Sequence, residues 1–203
     1  MKELHTTKPL ILGIIGIPGA GKTNFAKDFS SMFGAPALEV DGLRRNIFGE
    51  RAPTKVEEAG ILRAYWSLAG ELIKSKHTFI LDGSLHAYAY RSEVRNLAKK
   101  SGYDILWLWV QTSESVAQER STSRNRGSTN TILTIQEFTK AVTSFEPPRA
   151  NEEYIVTSGQ RNFSSQVRPI LAKLAQVHES KLKPVRPTDR TDERPPRRNI
   201  FIR

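Results

Sequence analysis

Residues 16–23 read Gly-Ile-Pro-Gly-Ala-Gly-Lys-Thr, a glycine-rich stretch closed by a lysine and a hydroxyl residue. The spacing Gly-x-x-x-x-Gly-Lys-Ser/Thr is what a phosphate cradle requires. Backbone N–H groups must converge on the anion, only glycine turns the chain that tightly, and the loop must feed a helix whose N-terminus attracts negative charge. Lys22 then supplies a point charge at the β- and γ-phosphates, and Thr23 a hydroxyl ligand for magnesium. Gly16, Pro18, Gly19, Ala20, Gly21 and Asn24, at the start of the following helix, complete the expected contact set. A nucleoside triphosphate, ATP first, with Mg2+ is the chemistry this pattern serves.

Two carboxylates and several arginines stand where such a site could use them. Asp41 follows the apolar run Ala37–Val40, which places it at the carboxyl end of a strand, the edge onto which the phosphate loop opens. It is a candidate general base for an attacking hydroxyl; the competing reading is an N-cap for the short helix Leu43–Phe48. Asp82 closes the apolar run His77–Leu81 as a magnesium-holding carboxylate would, or as a turn residue. Arg120, Arg124 and Arg126 lie on or beside the polar stretch 121–130, a loop whose closure would bring guanidinium groups onto a transferring phosphate; the alternative is a solvated basic loop. Arg44 and Arg91 are candidates for gripping an acceptor, and Arg45 reads as a surface residue. Tyr65, Trp66, His86, Tyr88 and Tyr90 either shape an acceptor pocket or belong to core and rim.

The elements that must position these groups alternate. Apolar, β-branched runs at 10–15, 37–40, 77–81, 103–110 and 154–156 read as strands. Helical periodicity covers 24–33, 43–48, 56–74, 91–100, 114–120 and 135–142, and a closing helix over 167–177 is delayed by Pro169. Strands separated by single helices require right-handed crossovers and a parallel sheet, hence an α/β fold with helices on both faces. The chain of 203 residues has 38% hydrophobic and 26% charged residues and no cysteine. Disulfides, thiolate metal sites and cysteine nucleophiles are excluded, and no apolar run is long enough to span a bilayer. Lys2, Lys8 and the apolar run after them imitate a secretory signal, but cleavage near Ala20 would destroy the phosphate motif, so a cytoplasmic protein is expected. Half of the net charge of +10 falls in residues 181–203, where eight Lys/Arg face three acidic residues. This Pro/Arg-rich tail has too few apolar residues to fold alone and is expected to be disordered, with weak attraction to nucleic acid.

Four segments together resemble the P-loop kinases, specifically the AAA-type, zeta-toxin-like group that includes the kinase halves of polynucleotide kinases. They are the phosphate loop; Asp41-Gly42-Leu43-Arg44-Arg45-Asn46-Ile47-Phe48-Gly49; the strand ending in Asp82 followed by Tyr90-Arg91; and Arg120-x-x-x-Arg124-Asn125-Arg126 with Phe145-Glu146-Pro147-Pro148. The resemblance implies a three-layer P-loop NTPase fold with a five-stranded sheet ordered 2-3-1-4-5. It also implies one kinase domain over 1–180, with a lid near 121–134 that places Arg120 on adenine and Arg124 and Arg126 toward phosphate. Ser158 and Gly159 resemble the loop near adenine. Asp82-Gly83-Ser84-Leu85 departs from the Asp-x-Thr-Asn of many polynucleotide-kinase relatives: Ser84 keeps a hydroxyl for the acceptor, but the amide is gone. The expected activity is transfer of the γ-phosphate of ATP to a hydroxyl of a small molecule. A 5′-hydroxyl polynucleotide kinase and a non-catalytic ATP-binding adaptor are the alternatives.

Overall fold

The computed structural model describes residues 8–49, 51–123 and 132–182. Five parallel strands form one sheet in the order β2-β3-β1-β4-β5, as the resemblance implies. They are β1 (Leu10–Ile15), β2 (Ala37–Glu39), β3 (Phe79–Asp82), β4 (Asp104–Gln111) and β5 (Tyr154–Ser158). The helices are α1 (Lys22–Phe33), α2 (Val40–Phe48), α3 (Lys55–Lys74), α4 (Tyr88–Ser101), α5 (Glu114–Thr122), α6 (Ile135–Thr143) and α7 (Phe163–Leu182).

β1 is buried along its whole length and sits at the centre, so its residues must satisfy two cores at once. Ile11 and Ile15 point to one side, where Phe79, Leu81 and Trp107 meet Ile61 and Tyr65 of α3 and Val94 of α4. Leu12 and Ile14 point to the other, against Phe25 and Phe29 of α1 and Ile170 of α7. The alternation of strand side chains explains why an all-apolar run, rather than an alternating one, marks this strand. Among the described residues no helix is long and apolar enough to cross a membrane.

Of the boundaries that differ from the sequence expectation, three have a visible physical reason. β2 stops at Glu39 and α2 starts at once at Val40, so Asp41 lies in the first turn of a helix rather than at a strand end or on the cap. A carboxylate there complements the helix dipole. α4 begins at Tyr88, three residues before Arg91, because the Glu146 carboxylate accepts the Tyr88 N–H at 3.2 Å. α7 opens at Phe163, where Asn162 Oδ1 accepts the Ser165 N–H at 3.0 Å, and the helix runs on through Pro169 instead of waiting for it. It continues to Leu182, two residues into the segment assigned to the tail.

Candidate active site

At the end of β1 the chain reverses with Gly16, Gly19 and Gly21 at φ 145°, 74° and 101°, values that residues with a Cβ rarely adopt. The reversal delivers the backbone into α1 at Lys22. Its ammonium folds back over the loop, donating to the carbonyls of Gly16 at 3.0 Å and Ile17 at 2.9 Å. Burial pushes the Lys22 pKa down, and Asp82 and Asp41 act against that shift. The charges of two carboxylates therefore act on this ammonium.

Asp82 is the last residue of β3 and only 5% exposed. Thr23 Oγ1 donates to its Oδ2 at 2.6 Å. Burial pushes the Asp82 carboxyl up, while Lys22 and the Thr23 hydroxyl pull it down. A hydroxyl and a carboxylate meeting at the foot of a phosphate loop are hard oxygen donors of the kind Mg2+ takes, and that ion needs only one or two protein ligands when phosphates supply the rest. No group of three or more metal-ligating side chains occurs among the described residues. Thr23 and Asp82 thus fit magnesium in company with phosphate, and not a self-sufficient protein metal cage.

The other wall of the loop is made by α5 and the turn after β5. Arg120 Nη1 donates to the carbonyls of Gly19 at 3.5 Å and Gly159 at 3.3 Å, bridging the two walls from an exposed position. Ser158 is held by Gln166 Nε2, which donates to its carbonyl at 2.8 Å, and the Gly159 N–H donates to Gln111 at the end of β4. The structure therefore brings Arg120, Ser158, Gly159 and the phosphate loop together. Gly159 is set by space: a Cβ there would stand 1.7 Å from the Ala20 carbonyl oxygen. Gly159→Ala should accordingly displace the phosphate loop, costing about 1–3 kcal/mol of stability and weakening triphosphate binding more than a surface substitution would. Thermal unfolding and calorimetry on the variant check both effects.

Asp41 and Arg44 pair within α2, and Arg44 is held from the other side by α3. Its Nη1 donates to Asp41 Oδ1, its Nε to Glu58 Oε2 at 3.1 Å and its Nη2 to Glu58 Oε1. The Glu58 hydrogen bonds, against the cost of burial and with help from Asp41, raise the Arg44 pKa above its already high ordinary value. Arg44 is thus an internal tie between two carboxylates rather than an open grip for an acceptor. Glu58 is invisible to motif reasoning, since it lies on an amphipathic helix with no local pattern to mark it.

Glu39 is the second residue that motif reading misses. It ends β2 in register with Asp82, and both burial and the Asp82 charge push its carboxyl up. A signal did exist, because Glu39 and Asp41 bracket the strand-to-helix junction. Arg45 reaches Glu39 at 3.9 Å, so it is more than a surface residue.

The structure overturns the acceptor-gripping expectation for Arg91. Its side chain is fully buried and its five N–H groups go to Glu152 Oε1 (2.8 Å) and Oε2 (3.0 Å) and to the carbonyls of Leu85, Glu146 and Pro147. Nothing remains to offer a ligand. Ser84, by contrast, lies in the turn after Asp82 at φ 54°, a left-handed value uncommon for a residue with a side chain. Gly83 before it packs on Val40, where a Cβ would come 2.9 Å from the Val40 Cβ, and its carbonyl accepts the Tyr65 hydroxyl at 3.3 Å. This turn therefore sits against the start of α2. Tyr65 itself is core, Trp66 packs at its edge, and the His86 and Tyr90 rings meet at a tilt, centroids 5.4 Å apart, on the outside. Arg124, Arg126 and most of the expected lid fall outside the described residues.

A parallel sheet of this order, with a glycine loop running from its central strand into a helix and an acidic residue ending the neighbouring strand, defines a P-loop kinase-like nucleotide-binding fold. A family model described as an AAA domain matches residues 11–148, and the chain belongs to that family. No curated protein matches it. Among solved structures it is similar to a gluconokinase from Sinorhizobium meliloti 1021, with TM-score 0.60 and 22% identity over 85% of this chain and 95% of that one. It is similar to Kti12 from Chaetomium thermophilum in complex with ADP-AlF3, with TM-score 0.61 and 18% identity over 83% and 98%. An APS kinase, CysC of Mycobacterium tuberculosis, in complex with AMPPNP and APS, gives TM-score 0.55 and 16% identity over 83% and 98%.

Proposed function

We propose that this protein is an ATP-dependent phosphotransferase of the zeta-toxin-like kind that moves the γ-phosphate of ATP onto a hydroxyl of a small molecule. The observation that carries this reading is the placement of Asp41. Its carboxylate, held on one oxygen by Arg44 and 39% exposed, stands within the electrostatic reach of Lys22 and Asp82. A simple nucleotide switch has no use for a solvent-open carboxylate whose charge acts on its loop lysine. Among the similar structures, the gluconokinase is a kinase by name and the APS kinase holds an ATP analogue with its acceptor, which supports the same class of reaction.

In this reading the loop N–H groups and Lys22 hold the phosphates, and Arg120 closes the side on which Ser158 and Gly159 border the base. Thr23 and Asp82 would hold Mg2+, which when bound neutralises phosphate charge. Asp41 accepts the proton of the acceptor hydroxyl while the new oxygen–phosphorus bond forms and the bond to ADP breaks, its electron pair leaving with ADP. Arg124 and Arg126 keep the lid role the resemblance implies.

Incubation with γ-labelled ATP, Mg2+ and a pooled metabolite extract tests the proposal. Wild type should convert label to a phosphomonoester of an extract component, and Lys22→Ala should not. Label recovered solely as inorganic phosphate would favour a nucleotide-hydrolysing adaptor.

A further inference from the structure

Resting on the phosphotransferase reading with Asp41 as base, we infer that Arg91 and Glu146 are positioning residues of the reaction, acting on Asp41 through the acceptor turn at 83–87. That turn runs between the two carboxylates of the site. It leaves Asp82, which accepts the Thr23 hydroxyl, and its first residue, Gly83, lies against Val40, the residue before Asp41. A Cβ on Gly83 would come 2.9 Å from the Val40 Cβ, so in a close-packed interior a shift of the turn passes directly to the first turn of α2. The turn does not hold its own shape. Ser84 sits at φ 54°, and a residue with a side chain keeps such a backbone only where its surroundings over-determine it.

The groups that do so come from far along the chain. Arg91 Nη1 donates to the Leu85 carbonyl at 3.0 Å, and the same guanidinium reaches the carbonyls of Glu146 at 3.0 Å and Pro147 at 3.2 Å. The Glu146 N–H donates to the His86 carbonyl at 2.8 Å, and its carboxylate accepts the Tyr88 N–H, one of the donors that a helix start leaves unpaired. Segment 145–147 and Arg91 thus grip Leu85, His86 and Tyr88 together. The grip is itself stiff: Phe145 packs on Trp109, two prolines follow Glu146, and the buried Glu152 anchors Arg91 through two hydrogen bonds. A planar fork of five donors suits this junction, since one side chain meets the turn, the segment behind it and a carboxylate at once. Apolar packing would fill the same space without direction, whereas hydrogen bonds fix the carbonyls they meet.

Rates of label transfer from γ-labelled ATP with Mg2+ into a dilution series of one metabolite extract test this. Arg91→Lys keeps a charge for Glu152 and loses the fork. It should lower the rate at saturating extract at least tenfold and leave the calorimetric dissociation constant for ATP·Mg within twofold. Should that variant fail to fold, Glu146→Ala carries the same test at a side chain 48% exposed. Its rate should fall at least fivefold with a melting temperature close to wild type, and Glu146→Gln, whose amide oxygen still accepts the Tyr88 N–H, should recover to within twofold. Because Glu146 acts through Asp41, adding Glu146→Ala to Asp41→Asn should cost less than a further twofold. A wild-type rate in folded Glu146→Ala, no recovery in Glu146→Gln, or the full loss repeated in the Asp41→Asn background would overturn the inference. No transfer by wild type, or transfer by Asp41→Asn at the wild-type rate, would instead strike the reading beneath it, which separates the two.

Discussion

Asp41→Asn should lower kcat for phosphate transfer by about 10²–10⁴-fold, the usual worth of a positioned general base, and leave ATP affinity within about twofold, since the lost function belongs to the transition state. Asparagine keeps the shape and can still meet Arg44, which Glu58 continues to hold from the opposite side. The change therefore removes a proton acceptor more than it removes packing. Steady-state kinetics with the acceptor found by label transfer, together with calorimetric ATP binding, check both halves. Transfer at near wild-type rate would take the base role from Asp41. In that event Glu39, which shares the same sheet edge and faces Asp82, becomes the residue to test by Glu39→Gln.

The largest stability effect should follow Arg91→Ala. Removing one partner of a buried, fully hydrogen-bonded pair leaves the other charge stranded and costs about 3–5 kcal/mol, or roughly 6–20 °C in melting temperature for a chain of this size. Here the damage extends beyond Glu152, because the carbonyls of Leu85, Glu146 and Pro147 lose their donor together.

The pH dependence has a definite sign. Burial pushes the Glu152 carboxyl up, but the Arg91 and Arg149 hydrogen bonds outweigh it and leave the pKa below its ordinary value. Its contribution in wild type is thus full above the unfolded-state pKa of about 4.3 and fades as pH falls through the lower folded value. Without Arg91, burial is opposed only by the Arg149 N–H and the Arg95 charge, and the neutral acid is favoured more than in wild type. The gap between wild type and variant should therefore be widest near neutrality and narrow below about pH 4; urea melts across that range measure it. An equal gap at all pH values would assign the loss to packing and the orphaned carbonyls.

What the sequence makes legible is whatever is written locally. The phosphate loop is contiguous, its glycines are demanded by backbone angles, and β1 announces itself because a strand buried on both faces has no polar positions. Arg120 and Gly159 are separated by 39 residues and meet in the fold, and only the resemblance, not local spacing, brings them into one reading. Arg91 shows the limit. An arginine opening a helix after the acceptor turn looks available, and only the three-dimensional arrival of Glu152, 61 residues later, uses it up. Arg44 is a milder case. Its pairing with Asp41 at i,i+3 is visible on a helical net, but the clamp from Glu58 depends on how α3 crosses α2. The boundaries of α4 and α7 moved for the same reason, since side-chain caps from Glu146 and Asn162 start helices that local propensity alone would begin later.

The central claim is that the loop between β1 and α1 holds the phosphates of a magnesium nucleotide and that Lys22 supplies its fixed charge there. Calorimetric titration of ATP with Mg2+ into wild type and into Lys22→Ala tests it most directly. Among the described residues the Lys22 ammonium hydrogen-bonds to two loop carbonyls, and burial already pushes the Asp82 carboxyl it would leave behind toward the neutral acid, so the variant should stay folded and melt close to wild type. The account predicts saturable one-site binding to wild type and a loss of affinity of at least tenfold in the variant, in keeping with a charge-assisted contact to phosphate of about 1.5–3 kcal/mol. Absence of triphosphate binding to folded wild type in the presence of Mg2+, or equal affinity in a folded Lys22→Ala, would contradict it.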